Sequence, residues 1–142
     1  MKVKHMVLTG VGSIGALFSY VFGGFDKLII ALLIFMVIDF TTGLVLAVVF
    51  KKSSKTEHGR VSSAAGIRGL SKKIFILLLV VMAEQIDIVL TTNVIRDGAI
   101  IAFISMEGIS ILENVTLAGL PVPRMIKNAL EVLSKGENKK DE

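Results

Sequence analysis

The feature that most constrains this chain is a series of four long apolar runs. The last three each reach the roughly 20 residues that a helix needs to cross a bilayer core. Within lipid an α-helix satisfies its own backbone hydrogen bonds, so helices are expected there rather than open strands. With 142 residues, 53% of them hydrophobic, and a mean hydropathy of +0.75, the chain has too small an interior to hide this apolar surface from water. The runs lie at about 6–25, 28–50, 74–95 and 98–120.

These runs predict an all-α integral membrane protein, built as a bundle of three to four transmembrane helices. The predicted transmembrane domain covers 1–123, and a charged tail follows over 124–142. The first run leaves the number of spans open. Its many small residues and the lysines before it fit a spanning helix, a helix lying in the membrane interface, or a cleaved signal peptide. No clean cleavage site precedes Phe25, which disfavours cleavage.

Basic residues are distributed unevenly around the runs. All but two of the 16 Lys and Arg residues precede the first run, fill the 51–73 loop or follow the fourth run. If every run spans, the positive-inside rule places both termini and this loop in the cytoplasm; if the first run does not span, only the N-terminus changes side. The bases of the loop are expected to set this topology and to contact anionic lipid headgroups, and a regulatory or partner-binding surface is the alternative. They are Lys51, Lys52, Lys55, Arg60, Arg68, Lys72 and Lys73.

Five acidic residues interrupt the apolar runs. An ionised acid that faces lipid near the membrane centre costs about 3 kcal/mol, whereas each Leu or Ile returns only about 0.3–0.6 kcal/mol. The acids must therefore face another helix, face water, or be protonated. No Lys or Arg lies at a matching depth within the runs, so the sequence predicts no buried cationic partner in the same chain.

Helical spacing groups the polar residues of the runs into faces. Glu84 and Asp87 share one side of a helix; Glu107, Ser110 and Asn114 form a stripe on another, and the remaining acid of that run lies off the stripe. Three interpretations stay open: hydrogen bonds between helices, the lining of a wet or oligomeric path, or a relay of protons or cations. The residues predicted for pore-lining or interhelix contacts are Asp39, Glu84, Asp87, Glu107, Ser110, Glu113 and Asn114, and those predicted for close packing or bending are Gly43, Gly108 and Gly119.

Several classes of function lack their sequence signals. The chain has no cysteine, its two histidines have no zinc-site spacing, and no phosphate-binding loop, nucleophile elbow or metalloprotease motif occurs. We therefore expect no enzymatic activity, no metal and no cofactor. The bases flank apolar runs and do not line one face of a soluble fold, so nucleic-acid binding is not expected either.

One stretch of the fourth run resembles a family signature. "MEGISILENVTLAGLPVP" (106–123) is similar to the signature of a bacteriophage holin family that includes the toxin-secretion holins of clostridial toxin loci. Met106 departs from the pattern, which more usually has a polar residue there. "IDFTTGLVLA" (38–47), "KKSSK" (51–55), "RGLSKK" (68–73), Asp87 and "YVFGGFDKLI" (20–29) resemble other parts of the family in the same order. The residues of the signature that match are Glu107, Gly108, Ser110, Glu113, Asn114, Gly119, Pro121 and Pro123.

The resemblance, which covers about residues 20–130, implies a function. Holins of this kind assemble as homo-oligomers in the bacterial cytoplasmic membrane and form lesions or pores. These release endolysin for host cell lysis, or are tied to toxin secretion. The implied partners are further copies of the chain, the lipid bilayer, and functionally an endolysin or a toxin. The alternatives are a small ion or solute channel or transporter subunit, and a membrane anchor that recruits a partner through the basic loop.

Overall fold

The computed structural model describes residues 2–56 and 58–138, except for the side chains of 136–138. Within these residues the chain is helical and contains no strand, which confirms the predicted all-α fold. A π-helical turn over Leu46–Phe50 continues the second helix to its end. The five α-helices are α1 (Lys2–Phe22), α2 (Lys27–Val45), α3 (Ser63–Leu90), α4 (Val94–Leu117) and α5 (Arg124–Asn138).

Three helical segments are long and apolar enough to cross a membrane, judged by length and composition. They are Lys2–Phe22, Lys27–Phe50 and Val94–Leu117. The longest helix, α3, does not belong to this set because each 18-residue stretch of it holds at least three charged side chains. Whether α1 and α3 span the membrane stays a prediction from the sequence.

The core of the bundle lies where α2, α3 and α4 meet. Ile29 and Leu32 of α2, Val80 of α3 and Ile100 of α4 are fully buried there. α1 contributes a single buried residue, Phe22, at its C-terminal end, where Phe18 and Val21 also pack against the core, and most of the helix before Phe18 is exposed. The central three helices therefore form the body of the protein, and α1 is attached to it at one end.

Local signals explain where two of the helices begin. The Asp26 carboxylate accepts a 3.0 Å hydrogen bond from the backbone N–H of Ile29 and caps α2. Ser62 caps α3 in the same way, through a 3.4 Å hydrogen bond from Ala65 N–H. Because of this cap, α3 starts eleven residues before the predicted run at 74, and the connection after Phe50 is shorter than the predicted 51–73 loop.

The end of α4 reverses the chain. Gly119 has a positive φ of 86°, which an L side chain rarely adopts. Its N–H bonds to the Thr116 carbonyl at 2.9 Å, and the N–H of Leu120 bonds to the Val115 carbonyl at 3.2 Å, as in a Schellman motif. The predicted charged tail then contains α5, which folds back against the bundle. Residues 139–142 of that tail lie outside the described residues.

Candidate functional site

One cation joins the three central helices. Lys73 of α3 donates a 2.9 Å hydrogen bond to the carboxylate of Asp39 on α2 and a second one to the carboxylate of Glu107 on α4. The three side chains are only 12%, 9% and 10% exposed, respectively. We call Asp39, Lys73, Glu107 and the groups hydrogen-bonded to them the Lys73 cluster. An unpaired buried charge is strongly unfavourable in a medium of low dielectric constant. The two carboxylates are therefore stable in their ionised form only with a cation beside them.

An amide extends the Lys73 cluster along the α2–α4 contact. The side-chain N–H groups of Asn114 donate to the Thr42 hydroxyl at 3.1 Å and to the Asp39 carboxylate at 3.4 Å. Gly43 faces this amide, since a Cβ built there would lie 3.6 Å from the Asn114 nitrogen. The polar stripe of α4 therefore meets a polar and small face of α2.

A second lysine reaches the cluster from the connection between α2 and α3. The ammonium of Lys55 donates to the Ser110 hydroxyl at 3.3 Å and lies 3.8 Å from the Asp39 carboxylate. Its side chain is half exposed, in contrast to that of Lys73. A cavity of about 110 Å³ beside Asp39, Lys55 and Lys73 is lined mainly by small and apolar residues of α2, the connection and α3. With two lysines and two carboxylates the cluster is formally neutral.

The expectation that the acids lack a cationic partner in the same chain is wrong for Asp39 and Glu107, which share Lys73, and also for Glu84, which lies beside Arg96. The prediction placed Lys73 in a loop outside the membrane run. α3 instead begins at Ser63, so Lys73 is the eleventh residue of a helix that packs on α2 and α4. The long lysine side chain then carries its charge to the acids while its stem packs along the helix.

A second cluster gathers around Arg96 at one end of the central helices, whereas the Lys73 cluster lies near their middle. The Arg96 guanidinium donates hydrogen bonds to the Phe22 carbonyl at 2.6 Å, to Asp26 at 2.6 Å and to Asp97 at 2.9 Å. The carboxylate of Glu84 lies 3.7 Å from its Nε atom. Arg96 is 5% exposed, and it ties the turn between α1 and α2 to the turn between α3 and α4. We call this group the Arg96 cluster.

Two further features adapt the chain to the Arg96 cluster. Gly23 has a φ of 74°, and a Cβ at this position would collide with the Glu84 carboxylate, so both conformation and space favour glycine. The hydrogen bond from Arg96 holds the pKa of the Asp26 carboxyl below its ordinary value of 3.8. This ion pair therefore stays formed at neutral pH.

Asp87 caps the helix that follows it. Its carboxylate accepts hydrogen bonds from the backbone N–H groups of Ile95 at 3.2 Å and Arg96 at 2.8 Å, and from the Thr92 hydroxyl. The residue at the N-cap position of α4, Asn93, makes no side-chain capping bond, so Asp87 supplies it from α3. Glu84 and Asp87 do share a side of α3. Glu84 lies beside Arg96, and Asp87 caps the start of α4.

The other predicted residues fall outside these two clusters. Glu113 is exposed on α4. Gly108 lies at a close contact with α5, described below, and Gly119 forms the turn after α4. Sequence reasoning missed the roles of Asp26, Thr42 and Arg96, because their partners lie far away along the chain. The remaining bases predicted to set the topology are exposed: Lys51, Lys52, Arg60, Arg68 and Lys72. Among the described residues, no group of His, Asp and Glu could hold a metal ion.

Sequence similarity to known proteins identifies the family of this chain. The model of the bacteriophage holin family matches residues 16–135, which includes both clusters. The chain belongs to this family. It is 40% identical over 122 residues to an uncharacterised protein of Listeria monocytogenes, a match that covers 85% of this chain and 81% of the relative. An uncharacterised 14.9 kDa protein of Clostridium perfringens is 37% identical over 135 residues, with 94% and 96% covered.

A phage protein is also among the relatives of this holin family member. A probable holin of Bacillus phage phi105 is 29% identical over 125 residues, and the match covers 87% of this chain and 86% of the phage protein. No solved structure matches the chain significantly. The holin family is a family of non-enzymatic membrane proteins, and together with the three long apolar helices it makes this chain a multi-pass membrane protein.

Proposed function

We propose that copies of this protein assemble in the bacterial cytoplasmic membrane and open lesions that permeabilise it. Through these lesions an endolysin would reach the cell wall, or a toxin would leave the cell. Membership of the holin family and the relative named as a probable holin support this role. The structural observation that carries the proposal is the Lys73 cluster, in which charged groups inside the helical bundle are neutralised within one chain.

The Lys73 cluster supports a closed state that tolerates lipid. With Lys73 bound to both acids, these charges of α2, α3 and α4 face one another, and many of the exposed side chains of α2 and α3 are large and apolar. Separating these groups in lipid is costly, but it costs little where water replaces the lost partners. Assembly of several copies around water would therefore allow the helices to rearrange. The same polar groups would then contact neighbouring chains or line the opening.

The membrane potential is a natural trigger for this rearrangement. Moving one elementary charge through the whole potential corresponds to about 2.3 kcal/mol per 100 mV. The Lys73 cluster near the middle of the central helices and the Arg96 cluster at one end of them hold the charges that a collapse of the potential could shift. We propose that the termini, the connection after Phe50 and the Lys73 cluster lie toward the cytoplasm, because most basic residues are at that end.

Timed lysis tests the proposal. The protein is expressed from an inducible promoter in a bacterium, with or without a co-expressed endolysin that has no export signal. We expect growth to continue for a delay and then a sudden fall in optical density only when both proteins are present. The chain alone should collapse the membrane potential, and the endolysin alone should have no effect.

Other outcomes separate the competing functions. A channel or transporter subunit would give selective ion or solute flux without endolysin release, and a membrane anchor would give neither flux nor lysis. Continued growth with this chain present in the membrane and the endolysin present in the cell would contradict the proposed function. A series of fluorescent dextrans of increasing size then measures the opening.

A further inference from the structure

One exposed side of α3 carries apolar residues with a seven-residue period. They recur at alternating intervals of four and three residues, which is the spacing of a helix that packs along another helix. All of its apolar members are exposed, and a lysine lies at one end. We call this set the α3 stripe. It consists of Lys72, Phe75, Leu79, Met82, Ile86 and Val89.

α4 carries a second stripe with the same period. Its members are exposed or half-buried, whereas Glu107 and Asn114 on another side of α4 are buried. An acid lies at one end of this stripe, where the α3 stripe has its lysine. We call this set the α4 stripe. It consists of Ile95, Ala99, Ala102, Met106, Ile109 and Glu113.

The charged residues of the two stripes lie at the same depth. α3 and α4 pack together as a hairpin with the short connection 91–93, so depth can be counted from this connection. Lys72 lies 18 residues before the end of α3 at Leu90, and Glu113 lies 19 residues after the start of α4 at Val94. At about 1.5 Å per residue, both are about 27–28 Å from the connection. Within the described part of the chain, neither side chain belongs to an ion pair.

The apolar members of the stripes complement one another in size. Met82 and Ala102 each lie eight residues from the connection, and Ile86 and Ala99 lie four and five residues from it. Large side chains of the α3 stripe therefore lie at the depth of small side chains of the α4 stripe. Two helices that meet along these stripes could interdigitate their side chains at close range.

We propose, on the basis of the assembly in the proposed function, that the α3 stripe of one copy packs against the α4 stripe of a second copy, with Lys72 of one chain paired to Glu113 of the other. Copies that enter the membrane in the same orientation keep each residue at its depth, so only groups of equal depth can meet. Lipid could cover the apolar members, and an anionic headgroup could bind Lys72, but neither would neutralise Glu113.

The depth of the charged pair favours this contact. The hydrocarbon core of a bilayer is about 30 Å thick, so the pair lies near its edge, where opposite charges attract more strongly than in bulk water. The contact joins two different surfaces of the same chain. It can therefore be repeated from copy to copy, which a growing assembly requires.

Cross-linking between two single-cysteine proteins tests the contact. The chain has no cysteine, and Phe75 and Ile109 each lie fifteen residues from the connection. Differently tagged Phe75→Cys and Ile109→Cys proteins are placed together in vesicles of phosphatidylethanolamine and phosphatidylglycerol and oxidised. We expect the product that carries both tags to form severalfold faster than with Ile74→Cys in place of Phe75→Cys. Ile74 is also exposed, but it lies about 100° around the helix. Equal rates would overturn the proposal.

Charge exchange tests the ion pair. Lys72→Glu or Glu113→Lys, introduced alone into both cysteine proteins, should slow the cross-link severalfold because like charges then meet. The two substitutions together should restore the native rate. Lys52→Glu reverses another exposed charge of the same basic region and should have no effect. A double variant as slow as the single variants would show that these two residues do not pair.

Dye release from the same vesicles separates this contact from the proposed function. If the native chain releases no dye, the proposed function fails, and the cross-linking rates still decide whether the stripes meet. If the native chain releases dye but the Phe75 and Ile109 positions cross-link no faster than the control, the proposed function stands and the contact between the stripes is overturned.

Discussion

The ammonium group of Lys73 on α3 lies 2.9 Å from the carboxylate of Asp39 on α2, and it also binds Glu107 on α4. One side chain thereby joins three helices and balances two acids. Loss of this cation would leave two poorly solvated, mutually repulsive carboxylates, with only the half-exposed Lys55 near Asp39 as a counterion. The closed arrangement of the bundle therefore depends more on Lys73 than on either acid alone.

Replacing Lys73 by Met should destabilise the protein strongly. Breaking a buried ion pair by removing one partner typically costs about 3–5 kcal/mol, which should appear as a large fall in the unfolding midpoint in detergent micelles. Lys72→Met is the matched control, because Lys72 is the exposed neighbour on the same helix and should leave the midpoint nearly unchanged. Equal effects of the two substitutions would show that the cluster does not hold the helices. Asp39→Asn with Glu107→Gln should restore most of the stability lost in Lys73→Met.

Asp87 should act on stability through the helix that it caps. Asp87→Ala removes the acceptor for the first N–H groups of α4, and the loss of such a cap costs about 0.5–2 kcal/mol. Gln85→Ala, an exposed position on the same helix, is the control and should have little effect. Amide exchange at Ile95 and Arg96 measures the change directly. Unchanged exchange at these amides together with altered permeability would instead assign Asp87 to a lining role.

The Asp26–Arg96 ion pair should make the stability of the protein depend on pH only under acidic conditions. Since the pKa of Asp26 is lowered below 3.8 in the folded protein, its contribution is fully present above that value and is lost as the pH falls through the lower folded pKa. Thermal unfolding in micelles from about pH 7 down to about pH 3 should therefore show a weaker acid-induced decrease in Asp26→Asn than in the native chain. Parallel curves for the two proteins would contradict the assignment. Between about pH 5 and 8 this pair should contribute no pH dependence.

The apolar runs predict the positions of the helices because lipid leaves the backbone no other partner. The helix boundaries are harder to predict, since hydropathy marks where the membrane begins, whereas capping marks where a helix begins. Ser62 caps α3 well before its apolar run, so hydropathy alone assigns Lys73 to a loop. The amphipathic pattern of α5 was visible in the sequence, but its charged face suggested only a tail in solvent.

The partners of the predicted polar residues could not be predicted from local patterns. Lys73 and Asp39 are 34 positions apart, and Arg96 and Phe22 are 74 apart, so no helical spacing relates them. The stripe of Glu107, Ser110 and Asn114 was recognisable because it lies within one helix. Which groups meet that stripe depends on how α2 and α3 pack, and a single sequence does not contain this information in a readable form.

Gly108 should control the docking of α5. Gly108→Leu places a side chain where Leu130 and Phe35 already meet, and overpacking of this kind typically costs about 1–3 kcal/mol. We expect α5 to detach, so that its amide hydrogens exchange many times faster in micelles while those of α3 keep their protection. Gly98→Leu on the same helix is the control, because a Cβ at Gly98 meets open space. Slow exchange of the α5 amides in Gly108→Leu would mean that other contacts hold the helix, and that the contact between Gly108 and Leu130 does not determine where α5 lies.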